Sequence, residues 1–183
     1  MDAEDILDEL KIYLKKDEIK KNELLEILKK YARIISPYDL MLATSAMRED
    51  GRYVQAQYRD KYLEIYIKYF IMRMKEVLDF ENENNTEIDM DNFKSSFHLL
   101  EYTFENEVGK YYNSDKFPLI YVITSLYTTF ILEEPIHPVG SEFPGNLKVT
   151  EEKGIFYCPV KDNQKDNPNA VCHLCLAEQT PNI

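Results

Sequence analysis

Tryptophan is absent from this chain, glycine occurs five times, cysteine three times, and acids outnumber bases 33 to 22. Each shortage excludes something. The glycines form neither G-x-G-x-x-G nor G-x-x-x-x-G-K-[ST], so those two phosphate-cradling loops are missing. A formal net charge of −11 argues against nucleic-acid binding, because phosphate affinity comes from clustered Lys and Arg. Long apolar runs are missing too. The most apolar stretch, Phe117 to Leu132, carries Thr124, Ser125, Thr128 and Thr129 and is too short and too polar to span a membrane. The opening MDAEDILDEL is acidic and amphipathic, without the positive start and apolar centre of a secretion signal. A cytoplasmic protein is therefore expected, with no membrane partner and its cysteines held as thiols.

What is present fits a soluble globular chain. Its 183 residues are 44% apolar and 30% charged. A chain this long buries roughly two-thirds of its unfolded surface, enough for a core without disulfides. The charge is uneven. Residues 1–80 hold 16 acids and 15 bases, whereas residues 81–183 hold 17 acids and 7 bases. The second half is thus the more plausible surface for a basic ligand or partner, although the same excess also serves solubility.

Periodicity predicts helices over most of the first 132 residues. Asp2 and Asp5 open the first, with Ile6, Leu7, Leu10, Tyr13 and Leu14 on its apolar face. Leu24, Leu28, Tyr31 and Ile35 form the seam of a second, from about Asp17 to Ile35. Ser36-Pro37 starts a short third helix that ends near Glu49-Asp50-Gly51. Tyr53 to about Phe80 is the long element, with Tyr58, Tyr62, Tyr66 and Tyr69 along one face. That stripe fits a ligand platform, a dimer face or, more commonly, a packing surface with hydroxyls at the rim. Residues 81–91 break the pattern, and Asp89 or Asp91 caps a helix running to about Tyr112. Residues 117–132 have strand-like composition, but no earlier strand offers a partner, so a buried helix is expected.

After Leu132 the character changes. Residues 133–183 hold six of the eight prolines, three of the five glycines, every cysteine and two of the three histidines. A hairpin fits LKVT-EEKG-IFY, with Gly154 in the turn and Cys158 leaving its second strand. Large apolar residues are too few for an independent core, so this tail must lean on the helices, be stapled, or stay disordered. The expected architecture is all-α: a multi-helix array over residues 1–132, with an irregular C-terminal tail, residues 133–183, containing the hairpin and a metal-binding knuckle packed on the helices.

The knuckle rests on Cys158, Cys172 and Cys175, spaced C-x13-C-x2-C. Two thiolates of a C-x2-C turn reach one ion, and a third from a hairpin end completes a face of a tetrahedron. His137 is the first choice for the fourth ligand, because Pro135 and Pro138 stiffen its backbone. His173, between the paired cysteines, is second, and Asp162 or a water third. The competing reading is three buried thiols. Three thiolates with an imidazole suit zinc, whereas most iron–sulfur clusters want four thiolates. Elsewhere, His98 precedes Glu101 and Glu105, but a di-iron bundle needs Glu-x-x-His twice, so His98 reads as a structural helix histidine. Neither G-x-S-x-G nor H-E-x-x-H occurs, and no catalytic residue stands out.

The run HPVG-x3-PG, then YCPV, then C-x2-C resembles an uncharacterised protein family of methanogenic archaea, number 0305 among such families. It is carried by His137, Pro138, Gly140, Pro144, Gly145, Cys158, Pro159, Cys172 and Cys175. The resemblance implies a source group and an anaerobic cytosol, where oxygen-labile clusters survive; it implies no mechanism. Three functions follow as expectations. The first is a helical accessory protein with structural zinc that docks on a protein partner or a second copy of itself. The second is an iron–sulfur protein of electron transfer or cofactor assembly. The third is a hydrolytic enzyme with an open zinc site.

Overall fold

The computed structural model describes residues 1–50, 56–104, 116–166 and 170–181. Helix α1 (Ala3–Lys11) begins with a reciprocal cap. The Asp2 carboxylate accepts from the N–H groups of Glu4 and Asp5, and Asp5 accepts from the N–H of Asp2 at 2.8 Å. Its Ile6, Leu7 and Leu10 are buried. Helix α2 (Lys21–Ala32) buries Leu24, Leu28 and Tyr31 as the seam requires, but starts four residues later than the periodicity predicts. The reason is long-range. Ile19 accepts from the Ile88 N–H and Lys21 donates to the Thr86 carbonyl, so the chain before α2 is drawn out as a ladder with the 81–91 linker.

Helix α3 (Pro37–Asp50) is capped by a Ser36–Asp39 pair, each bonding the other's backbone N–H, with proline in first position. Its 14 residues run between the expected bounds, and Gly51 of the anticipated turn lies outside the described residues. Helix α4 (Ala56–Asp79) is the long element; the proposed start at Tyr53 and the Tyr62 side chain are likewise not described. Helix α5 (Met90–Thr103) is capped by Asp89, which accepts from the N–H groups of Asp91 and Asn92. Its expected continuation to Tyr112, with Glu105, falls outside the described residues.

Helix α6 (Phe117–Leu126) is the centre of the fold. It packs against α1, α2, α3 and α4, and Leu119, Ile120, Val122 and Ile123 have no exposed surface. A helix covered on every side explains why residues 117–132 show no clean amphipathic period. The helix then widens into a π turn, Tyr127–Ile131, before reversing at Glu133 with φ 55°. The turn also aims Phe130 edge-on at Phe93 and Tyr127 edge-on at Phe80.

The C-terminal segment is short-stranded. Strands β1 (Glu142–Phe143) and β2 (Leu147–Lys148) form an antiparallel pair. Strands β3 (Thr150–Glu152), β4 (Ile155–Cys158) and β5 (Glu178–Gln179) form a second sheet, ordered β3-β4-β5. The β3–β4 hairpin has Gly154 in its turn as expected, but its first strand is Thr150–Glu152 rather than Leu147–Thr150 and its turn has two residues rather than four. Lys153 and Gly154, at φ 55° and 80°, make the two-residue turn that matches strand twist. Not expected were the β1–β2 pair and the parallel pairing of β5 with β4. Val149, Cys158 and Ala177 form a small buried cluster of their own, while Leu174 inserts into the helical core. Polar contacts also join this segment to α4: Lys61 pairs with Glu142, Arg73 with Glu134, and the Tyr58 hydroxyl accepts from the Gly145 N–H. Among the described residues, no helix is long and apolar enough to cross a membrane.

Phe93 is fully buried, whereas Ile12 is 65% exposed. Phe93→Ala is expected to cost about 3–5 kcal/mol in urea unfolding, and Ile12→Ala no more than about 0.5 kcal/mol.

Candidate metal centre

Three pieces of chain meet around one small cavity of about 10 Å³, and its lining includes His137, Cys158, Cys172 and Cys175. That is about the room one water or one ion takes. Each piece is fixed separately. His137 lies between the buried Pro135 and Pro138, its ring 5.6 Å from Tyr66 and edge-on to Phe143 at 5.5 Å. Burial lowers its pKa to about 4, so the imidazole is neutral at physiological pH and keeps a lone pair to give.

Cys158 ends β4 and is buried. Desolvation pushes its thiol pKa up, while the backbone N–H groups of Val160 and Lys161 hydrogen-bond the sulfur and pull the other way. Cys172 and Cys175 flank a tight turn in which the Cys175 N–H donates to the Cys172 carbonyl at 3.2 Å. That turn is held from both sides: buried Leu174 accepts from the Thr129 hydroxyl at 3.3 Å, and the Ile136 N–H donates to the Cys175 sulfur at 3.4 Å. The Cys172 thiol is also pushed up, first by burial and then by the neighbouring Cys175 and Cys158.

Two other candidates stand elsewhere. His173 is on the exposed side of the turn, and Asp162 is exposed, its N–H engaged by the Gln179 side chain; neither lines the cavity. His98 is a surface histidine, 3.7 Å from Glu101, and Glu101 also pairs with Lys11 at 2.8 Å. Among the described residues, no group of three or more His, Cys, Asp or Glu side chains is arranged as it stands to hold a metal ion. The metal-binding knuckle is therefore not established by the geometry; what the geometry gives is four donor residues on one cavity wall.

The sequence as a whole matches a known family. The family model "Uncharacterized protein conserved in archaea (DUF2115)" matches residues 20–180. The chain belongs to that family. It is 34% identical to a UPF0305 protein of Methanothermobacter thermautotrophicus over 161 residues, 88% of this chain and 97% of the relative. It is 33% identical to a UPF0305 protein of Methanocaldococcus jannaschii over 167 residues, 87% of this chain and 96% of the relative. A UPF0305 protein of Methanopyrus kandleri is 31% identical over 144 residues, 78% of this chain and 99% of the relative. No solved structure matches the chain. The resemblance seen in the tail motifs therefore extends over most of the sequence of this DUF2115 member.

Residues that sequence reasoning missed complete the cavity. Lys161 lines it, and its ammonium donates to the Cys175 carbonyl at 2.8 Å and to the Ala177 carbonyl. Its charge favours the thiolate forms of both Cys158 and Cys172. The clue was its place three residues after Cys158, where the chain must turn over the sulfur. Ser141, buried and with no hydroxyl partner among the described residues, shares a second small cavity with His137. Lys161→Met removes two charge-assisted bonds to the cysteine segment. It is expected to destabilise that segment by about 1.5–3 kcal/mol, seen as faster limited proteolysis within residues 159–181 with helical circular dichroism unchanged.

Proposed function

We propose that this chain is a non-catalytic helical accessory protein whose C-terminal segment is pinned by a structural zinc ion, with Cys158, Cys172, Cys175 and His137 as ligands. The observation that carries the reading is that those four residues, from three separate pieces of chain, line one cavity of about single-ion size. Charge balance supports it. Zinc with three thiolates and a neutral imidazole carries a net charge of −1, and Lys161 stands beside it. Metal binding must displace the thiol protons, against the burial that raises the Cys158 pKa and with the help of the nearby Lys161 charge. The small cluster of Val149, Cys158 and Ala177 leaves the tail short of core, so an ion that contributes about 10–16 kcal/mol in zinc-finger peptides is a sufficient staple. A cavity of this size favours a lone ion over an iron–sulfur cluster.

Elemental analysis of protein purified anaerobically without chelator is expected to give one zinc per chain and no absorbance near ~400 nm, where clusters absorb. Cys172→Ser and Cys175→Ser should each abolish stoichiometric metal and open residues 133–183 to protease while most helicity remains. Metal-free wild type, or full retention in both variants, overturns the proposal. Iron with sulfide would replace it with the cluster reading. His137→Ala should lose zinc. Zinc retained with an exchangeable water in its place would mean an open site of the hydrolytic kind.

A further inference from the structure

An open cleft of about 390 Å³ lies between the helices and the β3–β4–β5 sheet. Its helical wall carries Phe130 of the π turn, with Asp89 and Glu133 at the rim; its sheet wall carries Ile155, Phe156 and Glu178. Its size falls within the range of ligand and side-chain pockets. Phe130, Ile155, Phe156 and Leu176 give the lining an apolar part, and Ile155 is 42% exposed. Three carboxylates line it, and among the described residues no Lys, Arg or His does. Lys21 reaches one of the three, pairing with Glu133 at 2.9 Å, and Asp89 spends one oxygen capping α5. Glu178 is exposed.

The chemistry complementary to this cleft is a cation on an apolar body. The acidity continues past the opening: β3 is an edge strand with Thr150, Glu151 and Glu152 all exposed, which extends the surface along a line rather than closing it around a small molecule. An extended chain fits that line better than a free amine. We propose that the cleft receives a basic, apolar-flanked segment of a partner protein, with one Lys or Arg side chain entering between Asp89, Glu133 and Glu178. This deepens the accessory-protein reading and rests on it in one respect: Leu176 and Glu178, which line the sheet wall, follow directly on the Cys172–Cys175 turn that the metal would hold.

The test titrates the full chain, labelled with nitrogen-15 and assayed for zinc, with a capped six-residue peptide of alternating leucine and lysine. The expected result is a saturable set of amide shifts at residues 88–92, 129–133, 154–156 and 176–178. Glu178→Lys should weaken binding about tenfold or more, and Ile155→Ser should also weaken it. Glu26→Lys, the same charge change at an exposed site on α2, should alter it less than about twofold. Equal weakening by the two lysine variants, or shifts spread over the acidic surface, overturns the inference as general electrostatic attraction. Equal affinity for hexylamine alone would reassign the cleft to a small organic cation and overturns the docking claim. The two readings fail separately. Zinc present with no cleft shifts sinks only this inference, and cleft shifts in zinc-free protein sink only the metal.

Discussion

The rest of the molecule depends on the burial of one helix. Residues 117–126 have almost no surface left, so every neighbouring helix must turn an apolar stripe inward to cover them. That demand places α1 to α4 around a single axis. It also explains why α1, with only nine residues, is worth a reciprocal cap: an isolated helix of that length is marginal in water, and only its buried face and its ends hold it. The π turn that follows is where the packed core hands over to the irregular segment. There the side chain of Thr129 reaches the Leu174 carbonyl, so the cysteine turn is anchored to the best-buried part of the fold.

The C-terminal segment has a different economy. Its strands are two to four residues long, and its own cluster is small. It is held to the helices by the apolar Leu174 and Ile136, and by polar links such as Arg73–Glu134 and Lys61–Glu142. Exposed pairs of that kind contribute little each. Arg73 differs, since it is buried and bonded to both Glu76 and Glu134, so losing either partner would leave part of its charge uncompensated. A segment built this way gains more from a single strong cross-link than a well-packed domain would. In the proposed zinc site, the three thiols and the imidazole that line this cavity would serve stability before chemistry.

Electrostatics gives the two faces of this segment opposite character. Around the cysteines, Lys161 supplies positive charge turned inward, tied to two backbone carbonyls. On the outward side, Glu151, Glu152 and Glu178 are exposed. The acid excess of residues 81–183 is therefore not spread evenly over the surface, and part of it gathers where the sheet meets α5.

Much of the fold was legible in the sequence because helix periodicity is a local property. The seam Leu24, Leu28, Tyr31, the caps at Asp2, Ser36 and Asp89, and the hairpin turn at Lys153-Gly154 all follow from chemistry within a few residues of each position. The family resemblance was legible for a similar reason, since its motifs are short and lie in the tail. Spacing also singled out Cys158, Cys172 and Cys175, and the proline pair singled out His137. Tertiary structure alone decided the rest. The late start of α2 comes from a ladder with residues nearly seventy positions away. The π turn, the parallel β4–β5 pairing and the choice of His137 over His173 at the cavity each depend on which surfaces meet once α6 is buried. Such contacts join residues far apart in sequence, and no local pattern encodes them.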